Sequence, residues 1–156
     1  MVKNNVTRML ESQGIPFQAF KLPAEKLSAL EAADYLGVDP DFVYKTIVAT
    51  RAATAKPVLA LVSARREVDL KALARALGEK KVHLASQKQA EQLTGLQTGG
   101  ISPLALLKHN FQVVVDDTAQ TLDEIYISGG QRGLNIRLPV EELIKLTNAT
   151  IAAISR

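Results

Sequence analysis

Three stretches of this chain carry residues whose types and spacing could do chemistry. One is a lysine, Lys45, inside the apolar run Val43-Tyr44-Lys45-Thr46-Ile47-Val48; the others are two glycine clusters, Thr98-Gly99-Gly100-Ile101-Ser102-Pro103 and Ser128-Gly129-Gly130-Gln131-Arg132-Gly133. Glycine lacks a Cβ, so a ligand can come within hydrogen-bond reach of the main chain, and Pro103 fixes its own φ while holding Ser102 extended. Such loops can present amides to an anion or to a polarised carbonyl, and the same residues also suit tight turns between elements. On a strand, Lys45 shares a face with Val43 and Ile47, opposite Tyr44 and Thr46. A lysine on an apolar face snorkels to water, meets a counter-ion or lines a cavity.

Other chemistries fit poorly. Neither glycine cluster matches G-x-G-x-x-G or G-x-x-x-x-G-K-[ST], which argues against dinucleotide and P-loop phosphate binding. Ser102 and Ser128 lack a G-x-S-x-G context, and His83 and His109 are the only histidines, so a serine triad does not assemble. With no cysteine there is no thiolate nucleophile or disulfide framework, and two histidines are too few for a zinc set; no metal and no cofactor are expected. Asp116-Asp117 reads as a turn and Glu141-Glu142 as a helix start, where turn chemistry and the helix dipole account for them. What survives is a site of main-chain donors, serine hydroxyls and one cation.

The 156 residues suit a single domain, 1–156, with an ordinary globular balance of 47% hydrophobic and 22% charged residues. No apolar run approaches the roughly 20 residues needed to span a bilayer, and the N-terminus lacks a signal-peptide core, so a cytoplasmic location is expected. The net charge of +3 is mild, but residues 65–88 hold seven basic and three acidic side chains, a local +4 that could track phosphates or simply form a solvated helix face. Seven aromatics and no tryptophan argue against a broad base-stacking platform.

Patterning supplies the elements that must position these groups. Val6, Met9 and Leu10 mark a helix over 5–13 ended by Gly14, followed by an alternating edge strand, 15–20. Ser28 with Glu31 is a capping box opening a helix from Ala29 to Leu36, which Gly37 stops. The near-continuous apolar runs 44–50 and 58–62, joined by 52–57, read as central strands. Asp69 caps a helix to Leu77, a brief strand follows at 82–84, and Ser86 with Gln89 opens a second capped helix that runs to Gly95. Then come a short helix at 104–108, strands at 112–115, 124–128 and 134–138, a helix with Pro139 in its first position, and a last strand at 150–154. This order mixes hairpins with single helices. It predicts a mixed α/β sheet, curled and barrel-like, with surrounding helices.

In that order and spacing, Val43-Tyr44-Lys45-Thr46, Thr98-Gly99-Gly100-Ile101-Ser102-Pro103-Leu104 and Ile125-Tyr126-Ile127-Ser128-Gly129-Gly130-Gln131-Arg132-Gly133-Leu134 resemble the YbaK-type aminoacyl-tRNA deacylases. These are stand-alone relatives of the editing domain of bacterial prolyl-tRNA synthetase. The resemblance implies that fold and hydrolysis of the ester joining a wrong amino acid to the tRNA 3′ end, most closely in the manner of members acting on Cys-tRNA(Pro). It makes the acceptor end of an aminoacyl-tRNA the substrate and prolyl-tRNA synthetase a candidate partner, with a nucleophile supplied by the substrate. On the family pattern Lys45 is the essential lysine, with Thr46 beside it. Gly99, Gly100, Ile101, Ser102 and Pro103 form the G-x-x-x-P loop that positions the substrate, and Ser128, Gly129 and Asn135 line the site. Lys45, Gly99 and Gly100 are thereby expected in catalysis, the others in substrate binding.

The chain departs from the pattern in three places. Asn135 stands where an acidic residue is frequent, Ala105 lies near a usual glycine, and residues 20–27 lack a His/Tyr motif. These departures suit an alternative, a catalytically silent module that binds tRNA ends or a synthetase. The physical need for editing is general: a synthetase pocket separates amino acids differing by a methylene only about 10- to 200-fold, so a second site must remove the wrong product.

Overall fold

The protein is represented by a computed structural model describing residues 2–52 and 56–156; of the expected connection 52–57, residues 53–55 lie outside this description. The outer elements begin with helix α1 (Asn5–Ser12) and strand β1 (Gln18–Lys21) and continue with helix α2 (Ala29–Leu36). Strands β2 (Tyr44–Thr50) and β3 (Val58–Ser63) precede helix α3 (Leu70–Leu77), strand β4 (His83–Leu84) and helix α4 (Gln87–Thr94). The chain ends with β5 (Gln112–Asp116), β6 (Glu124–Ser128), β7 (Leu134–Pro139), helix α5 (Val140–Thr147) and β8 (Thr150–Ala152).

These strands form two sheets. One is antiparallel with order β1-β7-β6; the other is mixed with order β4-β2-β3-β5-β8, antiparallel across β4-β2-β3 and parallel across β3-β5-β8. Leu59, Leu61, Val113 and Val115 of the larger sheet meet Ile125, Ile127, Ile136 and Leu138 of the smaller one, closed off by Leu10 of α1 and Leu143 of α5. The far face of the larger sheet, through Ala60, Val62 and Val114, packs on Leu73 and Ala74 of α3. Both faces of β3 are therefore covered. That is why its sequence is an unbroken apolar run rather than an alternation.

The expected mixed α/β architecture is present, but as two sheets that do not close into a barrel. The sheets touch through a single parallel bridge, Val43 to Tyr126. Along the same edge of β2, β4 pairs only with Ala49 and Thr50, so between Val43 and Ala49 that edge has no partner strand among the described residues. A two-residue β4 and a single-residue contact from β6 are too short to meet. The gap they leave is where the cleft opens.

Local signals place most ends as the sequence predicts. The Ser28 and Glu31 capping box is reciprocal, and Gly37, Gly78 and Gly95 end their helices in the left-handed conformation. Elsewhere tertiary context changes the detail. Residues 104–108 form two 3-10 turns, Pro103–Ala105 and Leu107–His109, in place of one helix. Pro139 ends β7 and caps α5 rather than entering it.

Asp116 is the larger difference, because it is a buried tie and not an exposed turn residue. It is 1% exposed; its Oδ1 accepts the Ile154 N–H at 2.9 Å, and its Oδ2 accepts the hydroxyls of Thr118 (2.7 Å) and Ser155 (2.8 Å). Tyr44 donates in turn to Thr118 at 2.8 Å. Burial pushes the Asp116 carboxyl up, but hydrogen bonds from Thr118, Ile154 and Ser155 outweigh it and hold the group below its ordinary value. Burial also pushes the Tyr44 phenol up, which keeps it a neutral donor.

A depressed carboxyl stabilises the fold above its unfolded value, about 3.9, and loses that contribution as pH falls through the lower folded value. Asp116→Asn is therefore expected to cost about 1–3 kcal/mol at neutral pH and to flatten the fall in melting temperature below about pH 4. Thermal unfolding of both proteins between pH 7 and pH 2 reads this; parallel curves would contradict it.

Candidate active site

The open edge of β2 is one wall of a cavity of about 380 Å³. Lys45 and Thr46 line it from β2, Gly99 and Ile101 from the first glycine loop, Ser128 from β6 and Asn135 from β7. Residues remote in sequence meet here because β6 and β7 pair with Ser128 opposite Asn135, and because the Val43–Tyr126 bridge brings that pair beside β2. The segment from Leu22 to Ala32, with Glu25 and Glu31 at the rim, forms the opposite wall. A second lobe of about 670 Å³ shares Thr46, Ile47, Thr98 and Ile101 with the first, and adds Glu67, Lys71, Leu84 and Arg156.

Lys45 is held between snorkelling and burial. Its side chain is 23% exposed, and its Nζ lies 3.5 Å from an oxygen of the largely exposed Glu67, which lines the second lobe. The ammonium thus faces the cleft, its charge countered by a carboxylate that water also screens. On this open edge, away from β3, Val48 C=O accepts the Ala85 N–H, and strand alternation turns the Thr46 N–H and C=O the same way, where no strand among the described residues covers them. Thr46 therefore offers main-chain as well as side-chain groups to the cavity.

The first glycine loop is held on three sides. Glu91 of α4 accepts the Thr98 N–H at 2.8 Å, Arg132 Nε donates to Thr98 C=O at 2.8 Å, and the Gly100 N–H donates to Gln97 C=O at 2.8 Å. Gly99 (φ +94°) is exposed and lines the cavity, and its N–H has no partner among the described residues. The second loop behaves differently from the expectation of amides from both turns. Its Gly129 N–H donates to Leu134 C=O at 2.9 Å, and the side chain of Asn4, the residue capping α1, donates to Gly129 C=O at 2.9 Å. These main-chain groups are spent on fixing the loop, and Ser128 supplies its polar contact with the cavity.

Gly100, Ser102, Pro103 and Gly129 lie behind the wall rather than on it. A Cβ on Gly100 would sit 2.8 Å from the backbone of Gln131, so this glycine lets the two loops press together. Ser102 is fully buried and accepts the Leu104 N–H at 3.2 Å, Pro103 packs in the core beside Leu104, and a Cβ on Gly129 would meet the Leu134 side chain at 2.5 Å. Sequence reasoning passed over Thr98, which lines the cavity while Glu91 and Arg132 lock its main chain. The only signal was its place immediately before the two glycines. The basic run 65–88 also divides: Arg65 pairs with Asp39 and Asp41, Arg66 donates to Ser155, and Lys71 alone of these lines the cleft.

Among the described residues there is no cluster of three His, Cys, Asp or Glu side chains able to hold a metal, and no helix is long and apolar enough to cross a membrane. Among the described residues of the cavity, the hydroxyl beside a carboxylate is Ser28 with Glu31, and this pair is engaged in the cap of α2. The cavity's polar groups bind and orient.

Comparison with known proteins agrees with this geometry. The profile of the family described as the aminoacyl-tRNA editing domain matches residues 24–146. A protein of Enterococcus faecalis named "Putative Cys-tRNA(Pro)/Cys-tRNA(Cys) deacylase EbsC" is 36% identical over 155 residues, covering 98% of this chain and 93% of that one. A proline–tRNA ligase of Thermodesulfovibrio yellowstonii is 30% identical over 108 residues, which are 69% of this chain and 18% of the ligase. The crystal structure named "a putative trans-editing enzyme for prolyl tRNA synthetase" has a TM-score of 0.81 at 26% identity, covering 100% of this chain and 99% of that one. The crystal structure of hypothetical protein APE2540, at 23% identity and a TM-score of 0.88, covers 98% of this chain and 100% of its own and shares the fold. With its profile spanning most of the sequence and its motifs meeting in one cavity, this chain is a member of the aminoacyl-tRNA editing domain family.

Proposed function

We propose that this protein is a trans-editing hydrolase that removes a wrong amino acid from tRNA, with Cys-tRNA(Pro) as its substrate. The observation that carries the reading is the convergence of Lys45, Thr46, Gly99, Ser128 and Asn135 on one open cavity, whose hydroxyl–carboxylate pair, Ser28 with Glu31, is engaged in a helix cap. Such a site suits a reaction in which the substrate brings the nucleophile, a terminal ribose hydroxyl or the cysteine thiol. The nucleophile's oxygen or sulfur bonds to the carbonyl carbon, the original ester C–O bond breaks, its oxygen takes the nucleophile's proton and leaves as a ribose hydroxyl, and water then hydrolyses the new ester or thiolactone to the free amino acid.

In this reading Lys45 holds the phosphate or ribose end of the terminal adenosine as a point charge. The Gly99 and Thr46 amides face the carbonyl oxygen as it gains charge, and each such donor contributes about 100- to 1000-fold in rate. Ile101 and Ser128 shape the pocket. Gly100, Ser102, Pro103 and Gly129 serve by holding the two loops in register. The similarity to proline–tRNA ligases supports prolyl-tRNA synthetase as the partner that presents the tRNA, and the cytoplasm as the compartment where both are met.

The test is a panel of tRNA(Pro) charged with cysteine, alanine or serine, and Cys-tRNA(Cys), with and without prolyl-tRNA synthetase. A shortened ester lifetime for Cys-tRNA(Pro) is expected. Binding of the tRNAs with every ester lifetime unchanged would replace this reading by that of a silent binding module.

A further inference from the structure

The second lobe of the cleft is the larger one, about 670 Å³ against about 380 Å³ for the first, and the two join at Thr46 and Ile47 of β2 and at Thr98 and Ile101 of the first glycine loop. Lys45 belongs to that junction: it lines the first lobe, and its ion-pair partner Glu67 lines the second. An ester held at the junction therefore has room on both sides. The two sides differ in kind.

The second lobe has an aliphatic wall that includes Val48, Leu84, Ala85 and Ala90. Leu84 is 55% exposed, because β4 is the edge strand of the larger sheet and only β2 pairs with it. A cavity of this size with an apolar wall and a few charged groups is the make-up of a small-molecule seat, and an apolar side chain left open inside one marks where the ligand packs. No aromatic ring lines the lobe, so it offers packing to one flat ring system and no ladder for stacked bases.

The lobe's charges become unequal once their partners are counted. Glu67 is paired with Lys45, and Asp69 is occupied in the cap of α3, where it accepts the Ala72 N–H at 3.1 Å. Lys71 and Arg156 also line the lobe, and neither has an ion-pair partner among the described residues. With Lys45, three cations stand against two carboxylates that are both engaged. What the lobe lacks is an anion.

We infer that the second lobe is the seat of the substrate's terminal nucleotide, whose base packs on Leu84 and whose phosphate meets Lys71 as a second cation beside Lys45, while the amino acid occupies the first lobe. This inference rests on the deacylase reading above. It gives the larger half of the ester to the larger lobe and leaves the carbonyl at the junction, between Gly99 and Thr46. Its consequence is that the enzyme reads an ester by the nucleotide it hangs from, so that a simple alkyl ester of the same amino acid is a poor substrate.

The experiment has a binding arm and a rate arm. Adenosine 5′-monophosphate is titrated into the isotope-labelled protein, and the resonances of Leu84 and Lys71 are expected to shift while those of Ser128 and Asn135 stay. Lys71→Ala should weaken binding of the monophosphate about 10-fold and leave binding of adenosine unchanged. In the rate arm, the cysteinyl esters of tRNA(Pro), adenosine 5′-monophosphate, adenosine and methanol are compared, each rate divided by the uncatalysed rate of the same ester. Going from the monophosphate to the adenosine ester should lower kcat/KM about 10-fold, and Lys71→Ala should remove most of that difference. Leu84→Ala should raise KM about fivefold for the three nucleoside esters and leave the methyl ester alone. Both side chains are exposed, so neither variant is expected to unfold. Shifts confined to Ser128 and Asn135, or a phosphate effect that Lys71→Ala leaves intact, would overturn the nucleotide seat with the deacylase reading still standing. Shifts at Leu84 and Lys71 with no cysteinyl ester hydrolysed would uphold the seat and remove the deacylase reading.

Discussion

Lys45→Ala is expected to lower kcat/KM on the mischarged tRNA about 100- to 1000-fold while shifting the melting temperature by no more than about 3 °C. The two effects separate because the lysine's only ion pair among the described residues is with Glu67, whose side chain is 76% exposed at a separation of 3.5 Å. A pair screened in this way contributes about 0–1 kcal/mol to stability. The substrate, by contrast, brings a charged, partly desolvated group against the ammonium, where loss of one partner falls on binding and on the transition state together. Lys45→Arg is not a neutral change, since a planar fork replaces a compact point charge on a strand with tight neighbours on both sides. Glu67→Gln is the informative companion: it frees the ammonium without removing it and should alter kcat/KM by about fivefold or less. Steady-state deacylation and thermal unfolding of the three variants read the result. A full loss of stability in Lys45→Ala, or full retention of activity, would assign the lysine to the scaffold.

Gly100→Ala is expected to lower stability by about 3 kcal/mol and activity by about 100-fold together. The new Cβ would stand 2.8 Å from Gln131 Cα and C and 2.9 Å from Arg132 N, all backbone atoms with no rotamer in which to retreat. The two loops must therefore move apart. Gly99 lies next to the displaced residue, and the Arg132 hydrogen bond to Thr98 C=O crosses the same seam. Gly78→Ala is the control. It ends α3 in the left-handed conformation at φ +70° with nothing within 4 Å of its would-be Cβ, so it should cost about 1 kcal/mol and leave deacylation alone. Melting curves and single-turnover deacylation of both variants check the pair. Gly100→Ala that unfolds more easily yet cleaves the ester normally would show that the loop seam does not position the site.

The comparison of these two glycines shows what a sequence can and cannot say. Both read as turn formers. Gly78 is one, because a helix end is decided by the residues on either side of it. Gly100 is not at a positive φ, and its lack of a side chain serves a neighbour more than thirty residues away in the chain. Asp116 was misread as an ordinary turn for the same reason: its partners, Ile154 and Ser155, belong to the last residues of the chain. Thr98 looked like the lead-in to a turn, and only the fold shows that its main chain ties the first glycine loop to Glu91 and Arg132.

By itself the sequence determined the helices and their caps, the buried central strands, the mixed α/β class and the family's three motifs. These depend on alternation, capping and turn chemistry within a few residues. It also named Lys45, Thr46, Gly99, Ile101, Ser128 and Asn135, which one cavity brings together. The tertiary structure alone decided that the edge of β2 stays open between β4 and β6, and that Gly100 and Gly129 pack while Gly99 lines the cavity. The reason is physical: a strand's residues announce which face they occupy, but how far its edge is covered depends on the lengths of strands arriving from elsewhere in the chain.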